Sequence, residues 1–299
     1  MTAATPTKQW APKDYKSDLK PIWCAGCGDF GVLNALYKAM SMCSLDPENT
    51  VIVSGIGCSS RLPGFVATYG FHGVHGRALP IATGIKAARP DLNVIVVGGD
   101  GDGYSIGAGH IPHCARRNPD ITYLIMNNNT YGLTKGQVSP TSMVPLASLR
   151  TRLDPKRWKT TPYGMTEDAL NPVAMAVAYD ISFVGRGFSY RPNQLADLLA
   201  EAIRHKGFAL IDCFSPCPTF NQDQTDDFYK DRTYDVPADH DPTNRVKAFE
   251  LALRTDGYPV GVIYRHPNKP AMLDEQAQLR SRFAESPASL EKLVGRHLV

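Results

Sequence analysis

Two short apolar runs, separated by one helix-length segment, constrain what this chain of 299 residues can fold into. The first run, residues 94–97, stops at the turn Gly99-Asp100-Gly101-Asp102-Gly103, and the second, residues 121–126, stops at Asn127-Asn128-Asn129. Short β-branched runs that end at turn residues are typical of buried parallel strands, and a helix between them, here residues 106–117, completes a right-handed βαβ unit. The sequence therefore predicts an α/β fold with a doubly wound, mostly parallel sheet.

The two turns bring oxygen ligands to the same edge of the predicted sheet. Asp100 offers a carboxylate and Asn128 an amide oxygen, and main-chain carbonyls lie beside them. Such hard oxygen ligands suit Mg²⁺, which completes its octahedron with phosphate oxygens and water. Because Gly99, Gly101 and Gly103 allow a close approach of the backbone, the pattern predicts a site for a magnesium-bound diphosphate.

Residue spacing excludes two other readings of the glycine turn. A dinucleotide-binding fingerprint needs G-x-G-x-x-G, but the next glycine after Gly101 and Gly103 is Gly107. A calcium-binding EF-hand that began at Asp100 would need glycine and glutamate where the chain has Ser105 and Ile111. A plain tight turn remains as the simpler alternative, since Asp-Gly pairs are common turn formers.

Composition excludes several classes of protein. With 43% hydrophobic and 20% charged residues, the chain can bury one large core or two small ones. A net charge of +3 without a basic run interleaved with aromatics argues against nucleic acid as a partner. No apolar run approaches the roughly 18 residues of a membrane span, and residues 1–20 lack the apolar core of a signal peptide. We therefore expect a cytoplasmic protein with neither nucleic-acid nor membrane partners.

Seven cysteines in such a chain favour metal or redox chemistry over disulfides. Cys24 and Cys27 form a C-x-x-C motif at the start of a predicted helix, residues 30–42, where N–H groups and the helix dipole favour thiolates. The c-type haem motif is excluded because Gly28 stands where histidine is needed. A zinc knuckle, a thioredoxin-like dithiol and half of an iron-sulfur site remain open.

Two further cysteines follow predicted strands. Residues 51–54 end just before Cys58, and residues 210–214 end just before Cys217. If both strands join the sheet, four thiolates converge beside the diphosphate edge: Cys24, Cys27, Cys58 and Cys217. Zinc also accepts four cysteines, so the residues alone leave both zinc and a [4Fe-4S] cluster open.

The remaining cysteines and the histidines have simpler interpretations. Cys213 is a weaker alternative to Cys217 as fourth ligand, while Cys43 and Cys114 are expected to be small buried hydrophobic residues. His110 and His113 would share a helix face at i, i+3, and we interpret them as packing residues.

His75 has more functional potential. It lies in a glycine-flanked loop, residues 73–77, before the predicted helix 78–88. There a histidine could meet a cofactor or substrate, and an ordinary hydrogen-bonded loop histidine is an equal alternative.

The rest of the chain extends the same pattern. Two more helix-strand pairs are expected, residues 171–179 with 181–184 and residues 192–204 with 208–214. Residues 143–165 are predicted to be irregular and residues 221–240 to be a surface or interface segment. Residues 244–253 and 260–264 are predicted to form a helix and a strand. The predicted organisation is an arm (1–20), one α/β domain (21–240) and a C-terminal extension (241–299).

Gly-Asp-Gly followed at this distance by Asn-Asn resembles the diphosphate-binding motif of thiamine diphosphate enzymes. The resemblance implies that Asp100 and Asn128 ligate Mg²⁺ and that Thr130, two residues further on, contributes its carbonyl.

The combination of motifs resembles the β subunits of 2-oxoacid:ferredoxin oxidoreductases over about residues 20–221. Within that family, the motif sequences most resemble those of the 2-oxoglutarate enzymes. Ala25 departs from many relatives, which have proline there, and this changes loop stiffness but no ligand. The motifs are Trp23-Cys24-x-x-Cys27-Gly28, Gly55-Ile56-Gly57-Cys58-Ser59, His75-Gly76-Arg77-Ala78, Tyr131-Gly132-Leu133-Thr134-Lys135-Gly136-Gln137 and Ser215-Pro216-Cys217.

This resemblance implies coenzyme A-dependent oxidative decarboxylation of a 2-oxoacid, with single-electron transfer to ferredoxin. The cofactors would be thiamine diphosphate, Mg²⁺ and one [4Fe-4S] cluster. An α subunit would carry the glutamate that faces the aminopyrimidine ring and the coenzyme A site, in a dimer of αβ heterodimers. A pyruvate or broad-range enzyme, a non-redox decarboxylase half with structural zinc, and a zinc-stabilised binding subunit remain as alternatives.

The resemblance also implies a set of site residues. For catalysis these are Arg61, His75, Leu133 and Lys135, because a second substrate carboxylate would need Lys135 or Arg61 to offset its charge. For cofactor binding they are Gly57, Cys58, Ser59, Ser60, His75, Gly99, Asp100, Gly101, Asp102, Asn128, Thr130, Tyr131, Gly132, Leu133 and Thr134.

Overall fold

A computed structural model describes residues 9–143, 160–283 and 290–296. Within these residues eight strands form one sheet in the order β2-β1-β3-β4-β6-β5-β8-β7. Only the β5–β8 pairing among them is antiparallel. The predicted doubly wound, mostly parallel sheet is confirmed. The strands are β1 (Thr50–Ser54), β2 (Tyr69–His72), β3 (Asn93–Gly99), β4 (Ile121–Asn127), β5 (Phe183–Phe188), β6 (Phe208–Phe214), β7 (Thr233–Asp235) and β8 (Tyr258–Arg265).

The helices cover both faces of this sheet. Most predicted helices agree with the structure to within one or two residues. The strand predicted at residues 181–184 is displaced toward the C-terminus, since β5 begins at Phe183 and ends at Phe188. The helices are α1 (Asp29–Met42), α2 (Leu62–Phe65), α3 (Ala78–Ala88), α4 (Ile111–Arg117), α5 (Pro172–Ala178), α6 (Pro192–Arg204), α7 (Asp226–Lys230), α8 (Arg245–Ala252), α9 (Met272–Phe283) and α10 (Leu290–Gly295).

The helix predicted at residues 106–117 is broken in the structure. A π-helical turn, Asp102–Ile106, and a 3-10 turn, Ala108–His110, precede α4. Ser105 has non-helical angles (φ −100°, ψ −106°), and glycines at 107 and 109 weaken helix formation. His110 is the N-cap residue of α4 and makes no side-chain cap hydrogen bond. Burial lowers its pKa, and the neighbouring Arg77 and His113 lower it further, so the two histidines lie near each other.

Alternating side chains of the strands supply two cores. In β3, Ile95 and Val97 pack on one face with α1 and α6, while Val94 and Val96 pack on the other with α3, α4, α5 and α8. Helices on both faces leave the strand ends free, so the loops at the carboxyl edge are available to form a site.

Most of the segment 221–240 lies at the surface, as predicted, but four of its residues are buried: Asn221, Gln224, Tyr229 and Thr233. It contains α7 and β7, and Tyr229 is fully buried. The Tyr229 ring stacks on Phe214 at 4.3 Å between centroids, in a small third core with Phe188 and Val260. Aromatic residues without periodicity thus form a core of their own here.

Both ends of the chain contact the central fold. Near the N-terminus, Tyr15 is fully buried and its hydroxyl donates to the Leu45 carbonyl at 2.7 Å. From the predicted C-terminal extension, β8 joins the sheet between β5 and β7. Of the segment predicted to be irregular, residues 144–159 lie outside the described residues.

In the part of the chain that the structure describes, no helix is long and apolar enough to cross a membrane.

Two glycines within helices provide a matched pair for testing the packing. A Cβ at Gly31 in α1 would lie 2.2 Å from the Ser189 carbonyl oxygen, whereas a Cβ at Gly84 in α3 would meet nothing within 4 Å. We expect Gly31→Ala to lower the free energy of unfolding by about 1 to 3 kcal/mol, and Gly84→Ala to raise it by roughly 0.5 to 1 kcal/mol. Urea unfolding of both variants measures this, and equal changes would contradict the packing of α1.

Candidate functional site

The turns after β3 and β4 lie side by side because these strands are paired in register, with Gly99 opposite Met126. Asp100 is 1% exposed and accepts hydrogen bonds from the Asn128 N–H and, at 2.7 Å, from the Thr141 hydroxyl. Burial raises the pKa of Asp100 despite these donors. The structure therefore brings Asp100 and Asn128 together as predicted, around a carboxylate without solvent.

A cavity of about 220 Å³ opens at the carboxyl edge of the sheet, and we call it the smaller cavity. Asp29, Asp100 and Asp102 line it, and among the described residues no lysine or arginine does. Fourteen of the fifteen predicted cofactor-binding residues line it, and the exception is Ser60. They are Gly57, Cys58, Ser59, His75, Gly99, Asp100, Gly101, Asp102, Asn128, Thr130, Tyr131, Gly132, Leu133 and Thr134.

The asparagine turn is shaped by its own side chains. The Oδ1 atoms of Asn127 and Asn128 accept from the N–H groups of Asn129 and Thr130, both at 3.1 Å. Asn129 has a positive φ of 56°, which asparagine tolerates better than most residues. These Asx turns hold the Asn128 and Thr130 oxygens at the cavity wall.

Asp102 connects three loops. Its Oδ1 accepts from the N–H groups of Ile56 (2.9 Å) and Gly76 (2.7 Å) and lies 2.8 Å from Nδ1 of His75. Because that carboxylate oxygen is an acceptor, His75 carries a proton on Nδ1 and keeps Nε2 available. A Cβ at Gly55 would lie 1.8 Å from Asp102, so glycine is required there. Asp102 thus orders the loop that places His75 at the smaller cavity.

All four predicted cluster cysteines line a second cavity of about 850 Å³, the larger cavity. The loop of Cys24 and Cys27 lies against the segment that follows β6, since Gly28 N–H donates to the Pro216 carbonyl at 3.0 Å. Trp23 connects the same loop to Cys58 by donating from Nε1 to its carbonyl at 2.8 Å. Three loops distant in sequence are therefore joined around one space.

Loss of the proton from the Cys27, Cys58 and Cys217 thiols is unfavourable in the larger cavity. Burial is the main cause that raises the pKa of Cys27, of Cys217, and of Cys58 to about 12. The negative charge of the nearby Asp29 carboxylate raises these three pKa values further. Main-chain N–H groups lower two of them: the N–H of Asp29 donates to Cys27, and the N–H groups of Thr219 and Phe220 donate to Cys217. Thiolates here would need positive charge between them.

The other cysteines lie elsewhere. Cys213 is fully buried in the core with α1 and α6 and does not line the larger cavity. Cys114 is buried as predicted, while Cys43 is only half-buried. Throughout residues 9–143, 160–283 and 290–296, no three His, Cys, Asp or Glu side chains are grouped to hold a single metal ion.

The predicted catalytic residues are divided between the cavities. His75 lines the smaller cavity, Arg61 and Lys135 line the larger, and Leu133 lines both. Ser60 also lies at the larger cavity. Lys135 has a positive φ of 78°, a conformation that disfavours residues with a Cβ.

The structure adds three buried residues that the sequence analysis missed. Asp29, whose pKa burial raises to about 6, accepts from the Ser215 hydroxyl and lines the smaller cavity. Thr141 bonds Asp100, and Asp212 accepts from Asn127 Nδ2 at 3.1 Å. Asp212 could have been found, because a charge inside an apolar strand is a signal, whereas Thr141 sits in an ordinary polar loop.

Comparisons with known proteins agree with this geometry. Residues 55–213 match the model of the C-terminal thiamine pyrophosphate binding domain of thiamine pyrophosphate enzymes. Residues 217–281 match the C-terminal part of the pyruvate ferredoxin oxidoreductase beta subunit.

Two relatives match over 94% and 73% of this chain. Subunit beta of 2-oxoacid:ferredoxin oxidoreductase 2 of Aeropyrum pernix is 40% identical over 294 residues, which cover 94% of this chain and 91% of that protein. The 2-oxoglutarate oxidoreductase subunit KorB of Mycobacterium tuberculosis is 46% identical over 219 residues, 73% of this chain and 56% of that protein.

A solved structure is similar too. It is the 2-oxoglutarate:ferredoxin oxidoreductase of Magnetococcus marinus with 2-oxoglutarate, coenzyme A and succinyl-CoA bound, and it matches with a TM-score of 0.89 and 42% identity over 98% of each chain. The chain therefore belongs to the β subunits of the thiamine diphosphate-dependent 2-oxoacid:ferredoxin oxidoreductases.

Proposed function

We propose that this chain binds thiamine diphosphate through Mg²⁺ in the smaller cavity and a [4Fe-4S] cluster in the larger, as the β subunit of a 2-oxoglutarate:ferredoxin oxidoreductase. The observation that carries the proposal is the wall that the two cavities share, formed by Cys58, Asn128, Gly132 and Leu133. A Cβ at Gly132 would lie 3.5 Å from Asn128 Nδ2, 3.5 Å from Cys58 Sγ and 3.6 Å from Cys217 Sγ. One glycine thus separates the proposed metal ligand from two proposed cluster ligands.

Magnesium follows from the charges of the smaller cavity. A diphosphate there would face the carboxylates of Asp29, Asp100 and Asp102, with no lysine or arginine among the described lining residues. A divalent cation would offset the repulsion between these like charges. Asp100, Asn128 and the Thr130 carbonyl would hold it, and the raised pKa of the buried Asp100 shows how unfavourable that carboxylate is without a cation.

The cluster follows from the donor set of the larger cavity. Four thiols line it, and Cys27 and Cys217 already receive N–H bonds that favour their thiolate forms. Hydrogen bonds to sulfur and burial are among the properties that set the potential of an iron-sulfur centre. The exposure of the four differs, since Cys24 is exposed and Cys217 buried.

When bound, thiamine diphosphate supplies the carbon nucleophile for decarboxylation, and a cluster accepts the electrons one at a time. The residues of this chain position these groups. Asp102 fixes His75, which leaves Nε2 of that histidine to donate or accept a proton at the smaller cavity. Leu133 forms an apolar boundary between the two cavities.

The substrate assignment depends on the cations of the larger cavity. Arg61 and Lys135 line it beside the shared wall, where they can offset the second carboxylate of 2-oxoglutarate. The similarity to KorB subunits and to a structure with 2-oxoglutarate bound supports this choice over pyruvate.

The name β subunit implies a partner α subunit, and we propose that it supplies the acid for the aminopyrimidine ring and the coenzyme A site. Ferredoxin as electron acceptor, a dimer of αβ heterodimers and a cytoplasmic location also remain proposals.

Replacing Asp100 tests the metal site. Asp100→Asn keeps the shape and the Thr141 contact but removes the ionic ligand, so we expect thiamine diphosphate to bind at least about 100-fold more weakly. Calorimetric titration of the αβ complex in the presence of Mg²⁺ measures this, with Asp91→Asn on the surface as control. Unchanged binding in Asp100→Asn would contradict the assignment, and the iron content should be unaffected.

The cluster prediction concerns iron and sulfide content. Wild-type protein should contain about four of each per chain, with a brown absorption bleached by reduction. Cys58→Ala and Cys217→Ala should lose the iron, while Cys43→Ala, Cys114→Ala and Cys213→Ala should keep it, because those thiols are elsewhere. Stoichiometric zinc in place of iron would refute the proposal, and iron loss in Cys213→Ala alone would identify another fourth ligand.

Lys135 tests substrate selection. Loss of a charge-assisted hydrogen bond, about 1.5 to 3 kcal/mol, predicts that kcat/KM for 2-oxoglutarate falls about tenfold or more in Lys135→Gly and Lys135→Ala, with little change for pyruvate. Because φ is +78°, the glycine variant should be the more stable of the two on heating. Equal losses on both substrates would indicate a loop-positioning role instead.

A further inference from the structure

The edge strand β2 is exposed on both faces. All four residues of Tyr69–His72 are exposed, and within the described residues β2 pairs with β1 alone. The strand carries no lysine, proline or bulge, which usually protect a free edge. Its short length is its only such protection.

Two aromatic side chains of β2 lie on the same face of the sheet as a buried core, but beyond the helices that cover that core. Tyr69 and Phe71 lie opposite Val51 and Val53, which are buried in the core with α3 and α4. Side chains opposite each other in a parallel pair share a face, yet Tyr69 is 63% and Phe71 47% exposed. Two aromatic rings thus extend an apolar face into solvent.

This apolar surface reaches the smaller cavity. Val74, 68% exposed, follows β2, and Ile106, 53% exposed, lies next to Gly76, where a Cβ would be 2.7 Å from the Ile106 side chain. Gly76 is the neighbour of His75 and bonds Asp102 at the cavity wall. We call Tyr69, Phe71, Val74 and Ile106 the β2 band.

The other face of the same strand reaches the larger cavity, because Gly70 and His72 line it. Whatever covers β2 therefore borders both cavities. Polar groups adjoin the band, among them Arg77, which donates from Nη1 to the Ile106 carbonyl at 3.3 Å. An apolar centre with a polar rim is the composition of a protein-protein interface, and single exposed residues would not need this explanation.

We propose that the β2 band is the docking surface for the α subunit, an inference that rests on the proposed cofactor sites. The α subunit is favoured over a second copy of this chain because the band is continuous with the cavity that the partner must complete with its acid. The partner surface should be apolar opposite Phe71 and Val74.

The structure offers matched controls for a test. Val246 in α8 is 68% exposed, as Val74 is, and Tyr179 is 44% exposed, close to Phe71. Helix α8 packs against α5 and β8, at the opposite end of the sheet from β2. Aspartate at these four positions places the same charge at equal exposure on two different surfaces.

The experiment measures the αβ dissociation constant by analytical ultracentrifugation, with the iron content and unfolding midpoint of each β chain. Phe71→Asp and Val74→Asp should weaken assembly by on the order of 30-fold or more, the effect of losing one hot-spot residue, while Val246→Asp and Tyr179→Asp should not. Midpoints should be unchanged in all four, because the residues are exposed.

Two outcomes would overturn the proposal. One is assembly of wild-type strength in Phe71→Asp and Val74→Asp. The other is self-association of isolated β chains that these variants abolish, since the occupant would then be a second copy. Neither depends on iron or thiamine diphosphate, so a failure of the docking proposal is distinguishable from a failure of the cofactor assignments, which iron content and cofactor titration decide.

Discussion

The buried carboxylate of Asp100 is the constraint on which the rest of the site depends. Burial at 1% exposure disfavours the ionised form of Asp100, and hydrogen bonds from Thr141 and Asn128 offset only part of this, since the pKa of Asp100 remains raised. Its position is fixed by the parallel register of β3 and β4, which places one strand end beside the next. The fold therefore places a buried carboxylate where the proposed metal-bound diphosphate would compensate its charge.

The same carboxyl edge joins two kinds of chemistry. Loops after β1, β4 and β6 carry Cys58, Asn128 and Cys217, and the strand order puts β3 and β4 between β1 and β6. The N-terminal loop of Cys24 and Cys27 adds to them through the Gly28–Pro216 bond. Because the fold brings these loops to one wall, an electron acceptor can lie next to the organic cofactor without a separate domain.

Apolar runs and turn residues in the sequence predicted much of this arrangement. The predictions that differ from the structure do so for physical reasons. Apolar runs ending at glycine or asparagine located β3 and β4, and with them Asp100 and Asn128. The helix at 106–117 was overpredicted because apolar spacing does not reveal a backbone break at Ser105 and Gly107. The role of Thr141 could not be predicted, since it depends on a contact across 41 residues of sequence. The charge of Asp212 inside an apolar strand is a signal, but its partner Asn127 lies 85 residues away and is not evident from the sequence.

The smaller cavity and the edge strand β2 both have groups that the described part of this chain leaves without a partner. The smaller cavity concentrates carboxylates, and two of them, Asp29 and Asp102, each keep one buried oxygen without a hydrogen-bond partner. Meanwhile the sheet ends in an edge strand whose aromatic rings continue a covered core into solvent. In the proposed assembly, one α subunit would bury those rings and supply the acid that faces the aminopyrimidine ring. A single partner that does both would couple assembly to catalysis, because the cofactor pocket would become complete only when the exposed apolar surface is covered.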